Sequence, residues 1–363
     1  MHICLDTRML HASGIGVYLQ NLIPALSEVF RLTLIGNEKE LKHYSAEVIY
    51  ADIPIYSIAE ILRLPSQVPD CDIFWSPHYN VPLLPVKARK RLVTIHDVYH
   101  LAYFRTLSLK QKLYAKIMMQ AAVRKSDHMI SVSAFSKGEI VRYTGTSPDK
   151  ITVVHNGIDH DLFRPVRDAG VKQAVRQKYQ LPDKFLLFVG NVKPHKNLLT
   201  FINAFDRIRG QLPEHSLLIV GKKEGFITGD TSLHERIRQS PELEGRISFT
   251  GFVDNEDLPV IYSMAELFVF PSLYEGFGLP PLEAMACGCP VLVSNRASMP
   301  EACGDAASYV NPEDTGTMGD AILNMLDMSE VEKENSVKRG IERARTFTWE
   351  QSLQKHIALI RNL

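Results

Sequence analysis

Short apolar runs alternate with amphipathic stretches along the whole chain. His2–Asp6 is an apolar run ending in Asp; a glycine-containing turn at His11–Gly16 follows it, then helical periodicity from Val17 to Val29. Leu32–Ile35, Asp72–Trp75, Leu92–His96, Met129–Ser133 and Ile151–Val154 read as further strands. Helices are expected over Leu107–Arg124, with Leu109, Leu113, Ile117 and Ala121 on one face, and over Ser136–Tyr143. From His155 to Lys184 the rhythm breaks, with Asn156-Gly157, Phe163-Arg164-Pro165, a charged helical stretch and Leu181-Pro182-Asp183.

The same rhythm then restarts. Strands are expected at Phe185–Gly190, Leu217–Gly221, Ile247–Thr250, Leu267–Pro271, Val291–Ser294 and Ala307–Val310. A turn at Asn191–Asn197 and helices over Leu198–Arg209, Leu258–Ser263 and Pro281–Met285 lie between them. Strands separated by helices imply parallel sheets covered on both faces, and two such series imply two doubly wound α/β domains. The 363 residues suit two domains of ordinary size. The boundaries expected are 1–165 and 166–345. A terminal segment, 346–363, would form a helix with Trp349, Leu353, Ile357 and Leu359 on its apolar side, packing back on the first domain. Thr348 and Gln351 have the spacing of a capping box at its start.

Composition adds little beyond this. Hydrophobic residues make up 45% and charged residues 23%, as in ordinary globular chains. The chain shows no apolar run of about 18 residues and no secretory leader pattern, so a cytoplasmic location is expected, at the inner face of the cell membrane. Five cysteines with irregular spacing suit neither a disulfide framework nor a zinc site. Formal net charge is zero, but Lys87 to Lys150 carries thirteen Lys or Arg against four Asp or Glu, a local excess of nine. Such a basic stretch suits an anionic partner, a membrane surface or a phosphorylated substrate, or else is a solvated helical face.

Open parallel sheets bind ligands at the carboxyl ends of their strands, and four places there carry candidate chemistry. Ser13-Gly14-Ile15-Gly16 could let backbone N–H groups approach a phosphate, or serve as a packing turn. His96-Asp97 ends an apolar strand, where a catalytic pair or a structural histidine would sit. Lys193, His195 and Lys196 fall between a strand and a helix. Because a lysine at a helix start opposes the dipole, a diphosphate clamp explains it better than a solvated turn does. Glu275-Gly276-Phe277-Gly278-Leu279 follows a strand, and Glu283 lies in the next helix. These two carboxylates could accept hydrogen bonds from sugar hydroxyls or act as the acid and base of a hydrolase. Spacing alone does not choose.

On these residues the chain resembles the retaining glycosyltransferases of family 4, which have the GT-B fold: two Rossmann-like doubly wound domains facing across a cleft. Glu275 and Glu283 match that family's E-x7-E motif with its Glu-Gly-Phe-Gly-Leu-Pro core. Ser13–Gly16 with Val17-Tyr18, Thr94–Asp97, Val132–Lys137, Val154–Asp159 and Leu187–Asn197 match its other motifs, in order, over nearly the whole chain.

The resemblance implies that Glu275 contacts hydroxyls of the transferred sugar and that Glu283 holds the ribose. Lys196 binds the diphosphate, and His96 lies near the reacting centre. Gly14 and Gly16 make room for phosphates or acceptor, while Phe252, Val253 and Leu258 border the nucleoside. Gly276, Phe277, Gly278 and Leu279 complete the donor site, so the resemblance implies that the first domain, 1–165, binds the acceptor and the second, 166–345, the nucleotide-sugar. It also implies no bound metal and no cofactor, with cationic side chains and helix N-termini stabilising the leaving group. Many members carry arginine where this chain has Asn191, which leaves Lys193 to join Lys196. The Gly190–Asn197 form resembles members that build bacterial surface polysaccharides. That points to mannose from GDP-mannose moved to a lipid-linked or oligosaccharide acceptor, with no nucleic-acid partner. A UDP- or dTDP-sugar donor is the alternative, and an epimerase or phosphorylase of the same fold a more distant one.

Overall fold

The computed structural model describes residues 1–221, 231–238 and 240–363. The chain divides into two compact units. The first comprises Met1–Gly157 and Trp349–Leu363, and the second comprises Ile158–Thr348. Residues 158–165, assigned to the first domain from sequence, therefore belong to the second unit.

The first unit is built on β1 (His2–Asp6), β2 (Arg31–Gly36), β3 (Glu47–Tyr50), β4 (Cys71–Ser76), β5 (Ala88–Ile95), β6 (His128–Ser131) and β7 (Ile151–Val153), in the order β3-β2-β1-β4-β5-β6-β7. The second is built on β8 (Lys184–Val189), β9 (His215–Val220), β10 (Ile247–Gly251), β11 (Leu267–Phe270), β12 (Val291–Ser294) and β13 (Ser308–Val310), in the order β10-β9-β8-β11-β12-β13. All neighbouring strands pair in parallel. In both sheets the winding reverses beside the first strand, between β1 and β4 and between β8 and β11. The loops after those strands therefore open where doubly wound sheets take ligands.

The central strands are apolar on both faces because helices cover both. Phe185, Leu186, Leu187 and Phe188 of β8 are fully buried, as are Leu267 to Phe270 of β11. Over them the helix Leu198–Ile208 buries Leu198, Phe201, Ile202, Phe205 and Ile208. Each such side chain contributes about 1.5–3 kcal/mol by leaving water. All five cysteines are buried and free.

In the first unit the helix Trp349–Arg361 joins the core that the helix Ser13–Val29 shares with β1, β4 and β5. Ile360 is fully buried there, with Trp349, Leu353 and Ile357 against the cluster. A directed hydrogen-bond chain ties it in. His356 Nδ1 faces the Ser352 carbonyl at 2.8 Å and can only donate there, which makes Nε2 the acceptor. Tyr18 Oη donates to that Nε2 at 2.7 Å. Thr94 Oγ1, 3.1 Å from Tyr18 Oη, in turn accepts from Trp75 Nε1 at 2.9 Å.

The structure corrects the expected face of one helix. Leu109–Lys125 starts at Ser108 with a full capping box to Gln111. Its buried side carries Ala115, Met118, Met119, Ala122 and Val123, whereas Leu109, Leu113 and Ile117 are 84%, 63% and 47% exposed. Of the expected stripe only Ala121 is buried. Among the described residues no helix is long and apolar enough to cross a membrane.

Candidate active site

In the second unit, the loops after β8 and β11 close on one another. Leu273 N donates to the His195 carbonyl at 2.7 Å, and Asn197, at a left-handed φ of 58°, donates its side-chain amide to the carbonyls of Pro271 and Pro312. This brings Lys196 Nζ within 2.6 Å of Glu275 Oε1, with the two side chains only 16% and 15% exposed. Ser272 Oγ reaches the same Oε1 at 2.6 Å. The ammonium also lies 5.1 Å from the centroid of the Phe270 ring. Lysine has three donors and spends one here, so two remain for an anionic ligand's oxygens or for water. Both bonds fall on Oε1, which leaves Glu275 Oε2 able to accept a further hydrogen bond.

The Gly276–Leu279 backbone is fixed from behind. Ser298 Oγ is buried within reach of the carbonyls of Glu275 (3.0 Å) and Phe277 (2.6 Å). The Phe277 ring is buried edge-on against Phe347, so only its main chain can face a ligand. Gly278 has φ 125°, and a Cβ there would lie 2.7 Å from Met299 Cε. The helix Leu279–Ala286 follows directly, but Pro280 and Pro281 carry no N–H. The amides left at this helix start are those of Gly278 and Leu279.

Glu283 lies on that helix and accepts from Tyr262 Oη at 3.0 Å. Burial pushes its carboxyl up to about 7, against the lowering effect of the Tyr262 bond. Beside the end of β10, Val253 is buried and Leu258 half-buried, whereas the Phe252 ring is 67% exposed. Lys193 is exposed and lines a separate surface pocket with Val192, Pro194, Asn197 and Thr200. Of the two lysines singled out from sequence, Lys196 is thus the one that meets Glu275.

In the first unit, His96 follows β5 and is half-buried. Its Nε2 donates to the Pro77 carbonyl at 3.0 Å, so a neutral ring presents Nδ1 as an acceptor. Burial pushes its pKa down to about 4, so the ring is neutral at pH 7. It packs at 87° against Tyr18, centroids 5.1 Å apart. A neutral acceptor of this kind suits a hydroxyl, not a phosphate. Gly16 has a purely internal reason to be glycine, since a Cβ would lie 2.4 Å from the Leu10 carbonyl oxygen; at Gly14 a Cβ would meet nothing within 4 Å. Sequence reasoning missed Ser298, Tyr262 and His356, which act across the tertiary fold, and the local bond of Ser272 to Glu275; Tyr18 was singled out only as part of the glycine-loop motif, not for its bond to His356.

Comparison with known proteins bears on the family and the fold. The model for Glycosyltransferase Family 4 matches residues 12–162, and that for Glycosyl transferases group 1 matches residues 171–346. O-antigen chain mannosyltransferase B of Escherichia coli is 31% identical over 279 residues, covering 77% of this chain and 71% of that protein. Serotype-specific mannosyltransferase WbdA of Escherichia coli is 34% identical over 201 residues, which are 53% of this chain but only 24% of that larger protein. Anabaena HepE, solved in complex with UDP and glucose, aligns over 100% of both chains with a TM-score of 0.80 at 17% identity, a likeness of fold. The two doubly wound sheets and the loops at their switch points define a glycosyltransferase of the GT-B fold. The chain belongs to glycosyltransferase family 4.

Proposed function

We propose that the protein is a retaining hexosyltransferase that moves mannose from GDP-mannose to a hydroxyl of a lipid-linked glycan in the synthesis of a bacterial surface polysaccharide. The observation that carries this reading is the Lys196–Glu275 pair at the β8/β11 switch point, with Glu283 on the helix that follows. Lys196 and the Gly278 and Leu279 amides hold the diphosphate, Glu275 Oε2 orients the sugar, and Glu283 takes the ribose hydroxyls. As the bond from sugar C1 to the phosphate oxygen breaks, the acceptor oxygen bonds C1 from the same face. The acceptor proton passes to the leaving diphosphate. Charge on that group is stabilised by pre-positioned donors, which is where electrostatic catalysis acts most strongly. The mannosyltransferase relatives support the choice of sugar and pathway.

The reading is tested by incubating the protein with GDP-mannose and a bacterial lipid-linked glycan fraction and determining the new linkage by NMR. An α-mannosidic linkage is expected. A β linkage would contradict retention, and transfer from a UDP- or dTDP-sugar alone would replace the donor.

The acceptor class also gives the exposed stripe Leu109, Leu113 and Ile117 a use. Lys110, Lys112 and Lys116 share that helix, and an apolar stripe flanked by lysines suits an anionic lipid surface. Sedimentation with anionic vesicles is expected at low salt and is expected to fall at high salt. No sedimentation under either condition would make the stripe a solvated face.

A further inference from the structure

Next to His96 the carboxyl edge of the first sheet carries a cluster that none of the transfer motifs uses. Tyr56 has φ 65°, a left-handed conformation rarely taken by a bulky side chain. Its N–H donates to Glu60 Oε2 at 2.9 Å. Glu60 is buried and paired through its other oxygen with Arg8 at 2.6 Å; each side chain is only 5% exposed. Arg8 also pairs with Asp6 at 2.6 Å. The Asn80 amide donates to Glu60, and the Tyr114 hydroxyl donates to Asn80. A buried ionic network of this kind costs desolvation that its own attraction hardly repays. Here it fixes a strained turn.

The ring displayed by that turn remains 51% exposed. It meets His78 and Tyr114 edge-on, with centroids 5.8 Å away in both cases. Its hydroxyl is 3.5 Å from His78 Nε2, and His78 directly follows Pro77, the partner of His96. A core aromatic would be buried, and a solvated loop would need no buried arginine and glutamate beneath it. A half-exposed aromatic ring held rigid beside polar ring nitrogens and hydroxyls matches a sugar ring, which has C–H faces and carries hydroxyls around its rim. We propose that Tyr56 is the stacking platform for a hexopyranose of the acceptor glycan, beside His78. This rests on the reading that the His96 side receives the acceptor.

Tyr56→Gly separates function from structure, because glycine takes φ 65° without strain while the platform is lost. Tyr56→Trp keeps an aromatic face. Saturation-transfer NMR with methyl α-mannopyranoside, α-glucopyranoside and α-galactopyranoside reads the contact. The ring C–H protons of at least one sugar should be saturated by the wild type, with affinity falling about three- to tenfold in Tyr56→Gly and retained in Tyr56→Trp. The Tyr56→Gly melting temperature should be equal or higher, and GDP binding unchanged. Saturation absent from the wild type, or persisting undiminished in Tyr56→Gly, would overturn the proposal, as would a Tyr56→Gly protein that melts lower. Failure of GDP to bind the wild type would instead count against the donor reading and leave this result standing.

Discussion

Lys196→Ala is expected to lower affinity for a nucleoside diphosphate at least tenfold and to slow transfer further. The affinity loss follows from one charge-assisted hydrogen bond, worth about 1.5–3 kcal/mol. The larger loss in turnover, about 10²- to 10³-fold, follows from removing a donor aimed at charge that develops only in the transition state. A second effect adds to both. Glu275 is held by Lys196 and Ser272 through the same oxygen, so the variant leaves a mostly buried carboxylate with a hydroxyl as its remaining partner. Calorimetry with GDP checks the first part and initial rates the second. Unchanged affinity would remove Lys196 from the diphosphate site.

The first unit is expected to lose stability steeply as pH falls from about 6.5 to about 4. Burial lowers His356 and His96 to about 4, and lowers His78 to about 3 with help from the charges of His96 and His100. All three lie in this unit, joined through Tyr18 and Pro77. Their folded values lie below the ordinary value of about 6.5, so across this range the unfolded chain binds protons that the folded unit refuses. The stability they confer is complete above the ordinary value and is lost as pH falls towards the folded values. The slope approaches about 1.4 kcal/mol per pH unit for each proton. Two carboxyls raised by burial have the opposite sign: Glu283, at about 7, sits in the second unit, and Glu60 lies in the first, where it offsets part of the loss contributed by the three histidines. Both tryptophans, Trp75 and Trp349, belong to the first, so their fluorescence in urea titrations reports the relevant transition. A midpoint independent of pH between 6.5 and 4.5 would contradict the burial of these rings.

What could be read from sequence follows the physics of each element. β1 and β11 are apolar runs because both their faces are covered, and so is the Leu92–Ile95 half of β5; the Ala88–Arg91 half of β5 is charged and exposed or half-exposed and gives no such run. β3, Glu47–Tyr50, is an edge strand with half-exposed and exposed residues, so it gives no such run. The helices Thr315–Leu326 and Glu330–Arg345 also escaped notice; the second buries only Ser336, Gly340 and Ala344, which carry almost no hydrophobic signal. The Leu109–Lys125 helix misleads for a related reason. Its buried side uses alanine and methionine, while the leucines at helical spacing face outward.

Glu275, Glu283 and Lys196 were legible because they sit in motifs at strand ends. Ser298, which fixes the Glu275 backbone, and His356, which bonds Tyr18 across 338 positions, acquire their roles only when distant segments meet. Tyr56 is legible only from its backbone angle and the charges beneath it.

Titration of the wild-type protein with GDP, UDP, dTDP and ADP by calorimetry, near pH 6.5 and in two buffers of different ionisation heat, tests most directly whether Lys196, Glu275 and Glu283 form a nucleotide site. Ribose hydroxyls donating to Glu283 favour its carboxylate, which burial, opposed by the Tyr262 bond, pushes up to about 7 and so leaves partly protonated. Saturable binding of GDP with release of a proton is expected, seen as a binding heat that changes with the buffer. No binding of any of the four nucleotides would contradict it.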